Sequence, residues 1–146
     1  MSNIVTISGG KASEQAIADE CIKWCIKKLL PRYRTLNIKA IIKPMEDHGC
    51  CYNLNDLSRD FKLTLKKGLS VYELISTICH EMVHVKQYAR KELRWCNTHY
   101  NVMWKKSVHT NTAYDDQPWE KEAYKKWHLG EHWQAAAYRV CVMFFI

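Results

Sequence analysis

The chain has no long apolar run. Its longest, VCVMFFI at 140–146, is far short of the ~20 residues a helix needs to cross a bilayer. A membrane-spanning protein is not expected, and the run reads as the buried end of a C-terminal helix. The start, MSNIVTISGG, lacks the basic flank and apolar block of a secretory leader. There is no internal repeat and no low-complexity tract. Paired cysteine spacing is missing too. The seven cysteines are odd in number, at 21, 25, 50, 51, 79, 96 and 141, and neither Cys21–Cys25 nor Cys50–Cys51 has zinc-finger spacing. A disulfide framework is set aside, and reduced thiols in a cytosol are expected. Cys21 and Cys25, one helical turn apart, read as small core residues. Cys50 and Cys51 are adjacent and should face opposite sides of a strand. Acidic residues are the minority, 15 against 22 basic, for a net charge of +7. Such an excess permits affinity for nucleic acid or acidic proteins. The lysine pairs at 27–28, 66–67, 105–106 and 125–126 are scattered, however, so a solvated surface is expected and nucleic-acid contact is not favoured.

What is present suits a soluble globular protein: 47% apolar and 25% charged residues. A length of 146 residues favours one domain, 1–146, with a real core. Residues 13–30 read as an amphipathic helix, with Ala16, Ile17, Cys21, Trp24, Cys25, Lys28 and Leu29 near one stripe and Pro31 as its stop. LNIKAII alternates as a half-buried strand. KPMEDHG is a turn and CCYNL a short second strand. In DFKLTLKKG, Phe61, Leu63 and Leu65 alternate with Lys62, Thr64 and Lys66, a strand with one wet face that Gly68 ends. Ser70 and Glu73 then form a capping box. The helix they open should run to about Arg90, with Val71, Leu74, Ile75, Ile78, Met82 and Val85 toward the core. Residues 95–112 read as a loop or irregular hairpin. A second helix starts near Pro118, with Asp115, Asp116 and Gln117 as cap candidates. Gly130 interrupts it, and EHWQAAAYRVCVMFF makes a final helix.

The chemistry gathers in STICHEMVHVKQYAR, residues 76–90. His80 and His84 stand four apart, on one helix face about 5–6 Å from Cβ to Cβ, so two imidazoles can converge on one ion at Zn–N distances of ~2.0–2.1 Å. Glu81 is rotated about 100° from His80 along a helix of 3.6 residues per turn. It can therefore touch a zinc-bound water without ligating the metal, and take its proton as the water attacks a carbonyl. These are the roles of H-E-x-x-H. Composition alone would place such a motif about 0.02 times in a chain of this make-up, so two incidental surface histidines are the poorer reading. A hydrolytic zinc site takes three protein ligands and keeps one position open. The third can come from Glu120 or Glu122 in QPWEKEAY, or from His99 in CNTHYN; His109, His128 and His132 have no supporting motif.

CHEMVHVKQYARKEL, MWKK and YDDQPWEKEAY together resemble the small SprT-like metallopeptidases of phages and bacteria. More broadly the chain is similar to gluzincins, zinc hydrolases with HExxH on one helix and a glutamate ligand on the next. The resemblance spans about residues 59–125. It implies an α+β, minimal zincin-like domain: an N-terminal helix, a small mixed sheet of about three strands, the HExxH helix and C-terminal helices. It implies one Zn2+ ion held by His80, His84 and Glu120, because Glu120-Lys121-Glu122-Ala123 matches the E-x-x-A pattern, with Ala123 letting the helices approach. Tyr124 stands where many gluzincins carry an aspartate bonded to a ligand histidine, so Glu122 or Asp116 would have to supply that support. SprT proteases that cut DNA-bound proteins use a third histidine instead, which keeps His99 second and Glu122 third. By the same likeness the strand 60–66 would edge the cleft and pair with an extended peptide.

An oxyanion donor is expected for peptide hydrolysis; Tyr114 is the candidate, then Tyr138. Trp119 reads as packing beside Glu120, and Cys79 as a core residue pointing away from His80. The expected function is that of a zinc-dependent peptidase acting on a protein or peptide with Glu81 as general base. The alternative is a zincin-like binding module that engages a host protein or nucleic acid without turnover, and a DNA-associated protease stands third. The expected location is cytoplasmic, in the host if the chain is phage-encoded.

Overall fold

The computed structural model describes residues 2–55, 58–95 and 101–129. His99, His132, Tyr138, Cys96, Cys141 and the expected final helix lie outside the described residues, as does the side chain of His128. Among the described residues the fold is α+β, with three α-helices and two sheets. In chain order the elements are β1 (Ile4–Gly9), α1 (Ala12–Leu29), β2 (Asn37–Lys43), β3 (Gly49–Asn53), β4 (Asp60–Lys66) and α2 (Val71–Ala89). Then follow β5 (Leu93–Trp95), β6 (Asn101–Trp104), β7 (Ser107–Thr110), a 3-10 turn at Tyr114–Asp116, and α3 (Pro118–Leu129).

The larger sheet runs in the order β1-β2-β4-β3. β1, β2 and β4 are parallel, and β3 is antiparallel to β4. Register follows the apolar alternation: Ile38, Ala40 and Ile42 pair with Phe61, Leu63 and Leu65, and all six are buried. Side chains of paired residues share a face, so this face is the floor of the core, and α1 and α2 pack on it and on each other. Lys39 and Lys43 are exposed on the other side. The strand β1 was not expected. Its inward residues are only Val5 and Ile7, half-buried against the core, and an edge strand that buries so little leaves little periodicity to read.

Helix α1 begins one residue earlier than predicted, and its buried face is rotated. Ile17, Ala18, Cys21, Ile22, Cys25 and Ile26 are buried, while Ala16, Trp24 and Leu29 lie at the boundary and Lys28 is exposed. The Lys28 ammonium sits 5.6 Å from the centroid of the Trp24 ring, so both belong to the rim. Glu14 ties the helix start to the chain before α2. Its Oε1 accepts from the Lys11 amide at 2.8 Å and its Oε2 from the Gly68 amide at 2.9 Å. The Gly68 amide is the main force holding this carboxyl below its ordinary range, against the opposing effect of burial, with Lys11 adding.

The region expected as a loop or irregular hairpin forms a small antiparallel sheet, β5-β6-β7. Leu93 and Val102 bury against the main core, and Trp104 and His109 stand beside Trp119 at the start of α3, with ring centroids 6.4 and 5.6 Å away. This sheet braces the turn from which α3 departs. No helix among the described residues is long and apolar enough to cross a membrane.

Candidate metal centre

Helix α2 begins where the capping residues place it. Ser70 Oγ accepts from the Glu73 amide at 3.1 Å. At the other end the Arg90 amide closes on Lys86 O at 2.9 Å, and Lys91 turns the chain with φ 61°. Leu74, Ile75, Ile78, Met82 and Val85 face the core; Val71, expected with them, is exposed. The opposite side of the helix meets α3, where Ala123 is fully buried. A small side chain there leaves room for the helices to close.

The closure brings His80, His84 and Glu120 together. Glu120 Oε1 lies 2.7 Å from His84 Nε2 and 3.1 Å from His80 Nε2, and the two imidazole rings stand nearly perpendicular, their centroids 5.0 Å apart. One donor atom from each residue falls within 4.8 Å of the others. Around a tetrahedral ion with N and O ligands at about 2.0–2.2 Å, neighbouring donors sit roughly 3.3–3.5 Å apart. To admit one, the carboxylate oxygen at 2.7 Å from His84 and 3.1 Å from His80 has to draw back by roughly 0.6–0.8 Å from the first and 0.2–0.4 Å from the second.

The hydrogen bonds behind His84 argue for a cation at this point. Gln87, fully buried, donates through Nε2 to Trp119 O at 2.9 Å and to Glu122 Oε1 at 3.1 Å. Its amide orientation is thereby fixed, and its Oε1 can only accept, from His84 Nδ1 at 2.8 Å. A neutral His84 with its proton on Nδ1 turns the lone pair of Nε2 toward a carboxylate oxygen. Two acceptors at 2.7 Å need a positive charge between them, either a proton or a metal ion. Two imidazoles and a carboxylate suit several first-row metal ions.

The electrostatics show the same tension. Burial raises the Glu120 carboxyl, but hydrogen bonding and charge from His80 and His84 outweigh it and bring it down to about 2. Burial lowers His84, yet the Glu120 carboxylate, with Glu81 and Gln87 adding, carries it above its ordinary value. Glu81 is raised, chiefly by burial, with the histidines pulling the other way and Glu120 adding to the rise. It does not join the donor set, and it lines the same cleft.

No protein-family model, no curated protein and no solved structure matches this chain.

The cleft has a volume of about 790 Å³. One wall is β3, through Gly49, Cys50 and Cys51, and the other carries Tyr114, Gln117 and Tyr124. Gly49 is required by close approach: a Cβ there would come within 2.6 Å of Thr77 Cγ2 and 3.4 Å of Glu81 Cγ. Cys51 pairs with Leu63 and Cys50 with Thr64, so the adjacent cysteines face opposite ways, as expected. Burial, then the negative charge of Glu81, pushes the Cys51 thiol well up, leaving it neutral beside the site. The Tyr114 and Tyr124 hydroxyls are 3.1 Å apart, and the Tyr124 ring packs edge-on to His80 at 4.6 Å. Partial burial, the Tyr124 hydroxyl and the Glu120 charge all push the Tyr114 phenol up, so it stays a hydrogen-bond donor.

Other expectations end differently. Glu122 is not a ligand: its Oε1 takes Lys86 Nζ at 2.9 Å as well as Gln87. It supports His84 through Gln87, filling at one remove the role sought for it. The strand 60–66 is not the edge of the sheet, because β4 lies between β2 and β3; the edge beside the cleft is β3. His109 packs edge-on against Trp119 and is outside the donor set. Gln87 and Lys86 were missed. Their signal was position: Gln87 is three residues after His84 and so on its face, although a polar residue there would ordinarily be solvated.

Proposed function

We propose that this is a zinc-dependent peptidase of minimal zincin-like architecture, with one Zn2+ ion held by His80, His84 and Glu120. The observation that carries the reading is the single Glu120 oxygen facing both Nε2 atoms in a cleft that also holds Glu81. The two histidines on one helix and the glutamate on a later one are the arrangement implied by the SprT-like and gluzincin resemblance. A structural site would need four closed ligands; three donors beside an open cleft leave a position for water and substrate.

When bound there, zinc would supply a Lewis acid and bring the pKa of water toward ~7. Glu81, made more basic by its burial, takes the proton of the attacking water and passes it to the departing amine. The Tyr114 hydroxyl donates to the carbonyl oxygen as negative charge grows on it. Gln87 keeps the His84 proton on Nδ1 and its lone pair toward the site. β3, an edge strand among the described residues, offers backbone groups to an extended peptide, which fits a protein or peptide substrate.

The test is metal analysis joined to a peptidase assay on unstructured protein substrates, comparing the native chain with Glu81→Gln. One zinc per chain in both proteins, with cleavage only in the native one, is the expected result. Native protein that holds zinc and cleaves nothing would transfer support to the binding-module reading. Native protein that takes up no stoichiometric zinc would end both.

A further inference from the structure

Cys21, Cys25 and Cys79 converge at a second point, away from the cleft. The first two are one turn apart on α1, and the third faces them from α2. All three are fully buried, and none is in a disulfide. Their sulfurs lie within 4.8 Å of one another, with Cys25 Sγ and Cys79 Sγ 3.8 Å apart. We infer that these three thiols form a sulfur-only site for a soft monovalent metal ion, Cu(I) by its coordination number.

Three cysteines can also serve as small apolar filler. Filler needs only volume, however, whereas these sulfurs meet closely enough for the Cys25 thiol to donate to Cys79 Sγ and for one ligand atom of each to face a common point. With metal–sulfur bonds of ~2.3 Å, ligand sulfurs around one ion are roughly 3.8 Å apart in a tetrahedron and 4.0 Å in a trigonal plane. The measured pair is already at that spacing, and the widest separation must shrink by less than about 1 Å to reach it.

The surroundings decide which ion. The three cysteines belong to the apolar core cluster, and among the described residues no histidine, aspartate or glutamate joins their group. Solvent does not reach the three thiols, so water cannot complete a coordination shell. Thiolate donors select soft ions, and each S–H bond that gives way to a metal–sulfur bond releases its proton to solvent. Structural zinc almost always takes four ligands, whereas Cu(I) is content with three. The site lies where α1 meets α2, so an ion would be enclosed as those helices close and would hold them together. An ion that binds only the folded chain raises its apparent stability.

The inference is independent of the peptidase reading and is tested apart from it. Full-length protein, reduced and kept free of oxygen, is titrated with Cu(I) supplied as its acetonitrile complex, and separately with Zn(II). X-ray absorption at the copper edge should show a shell of three sulfurs, one copper per chain, and the same spectrum in a His80→Ala/His84→Ala variant. Cys21→Ala and Cys25→Ala should each weaken Cu(I) binding more than tenfold, measured against a chromophoric Cu(I) chelator, without lowering zinc affinity at the cleft. Nitrogen or oxygen neighbours in the native copper spectrum, or Cu(I) affinity unchanged in a folded cysteine variant, would overturn the site. Should a cysteine variant fail to fold, the spectrum of the native protein decides alone.

Discussion

Consecutive residues of α2 serve two different groups of potential ligands. Cys79 turns toward α1 and joins Cys21 and Cys25, while His80, about 100° around the helix, turns toward α3 and joins His84 and Glu120. The histidine group is polar and braced: Gln87, Glu122 and Lys86 stand behind it, and a cleft with Glu81 opens in front. The sulfur group lies in an apolar core closed to solvent. Convergence of donors makes each group compatible with an ion. Reaction needs more: an open coordination position, a base beside it, and hydrogen bonds that fix each ligand's proton. Only the histidine group has those.

Separating the two groups is the sharpest experiment. Glu120→Ala should empty the cleft, weakening zinc binding by more than the roughly 10–100-fold that loss of a supporting hydrogen bond costs, with Cu(I) uptake unchanged. Equilibrium dialysis of both metals reads this directly, and a parallel loss of copper would merge the two sites. Glu81→Gln should lower kcat by ~10²–10⁴, the usual worth of a general base, at constant zinc content. Tyr114→Phe should lower kcat by about 10²–10³ with little change in KM if its hydroxyl meets the developing oxyanion; a change in KM alone would reduce it to a wall of the cleft. Gln87→Leu should weaken zinc by ~10–100-fold and also destabilise the fold, because the Trp119 carbonyl and Glu122 lose a buried partner at a cost of about 1–3 kcal/mol.

The smallest effect concerns neither group. Glu14 has a lowered carboxyl pKa in the folded chain. Its contribution to stability is complete above the ordinary value of 4.5 and is lost as the pH falls from there through the lower folded value. Glu14→Gln should therefore cost about 1–3 kcal/mol at neutral pH, where charge-assisted hydrogen bonds disappear, and flatten the acid side of the stability curve. Thermal melts from pH 7 down to pH 3 measure this. Zinc and copper affinities should stay as they were; a shift in copper alone would mean that the start of α1 sets the sulfur spacing.

Much of the site was legible because it is local. Ser70 and Glu73 announced the start of α2, the four-residue spacing put His80 and His84 on one face, and Pro118 located the helix that carries Glu120. The pairing of Glu120 with both histidines was reached through resemblance, and the spacing of the motif could not supply it. The expectation that the strand 60–66 edges the cleft failed for a related reason, since β4 lies between β2 and β3. Alternation reports which side of a strand is wet, and two strands with the same alternation can be central or peripheral. Gln87 escaped notice because its chemistry depends on three groups from α2 and α3 that meet only in the fold.

By itself the sequence determined the helices α1, α2 and α3, the inward face of β2 and β4, and the presence of a histidine pair with a carboxylate beside it. All of these rest on periodicity and capping, which act over one or two turns of chain. The tertiary structure alone decided that Glu120 rather than Glu122 meets the histidines, that β3 is the sheet edge at the cleft among the described residues, and that three cysteines spread from Cys21 to Cys79 share one point. Those outcomes depend on how α1, α2 and α3 pack across the sheet, and packing is settled by side chains far apart in sequence that must fill one volume together.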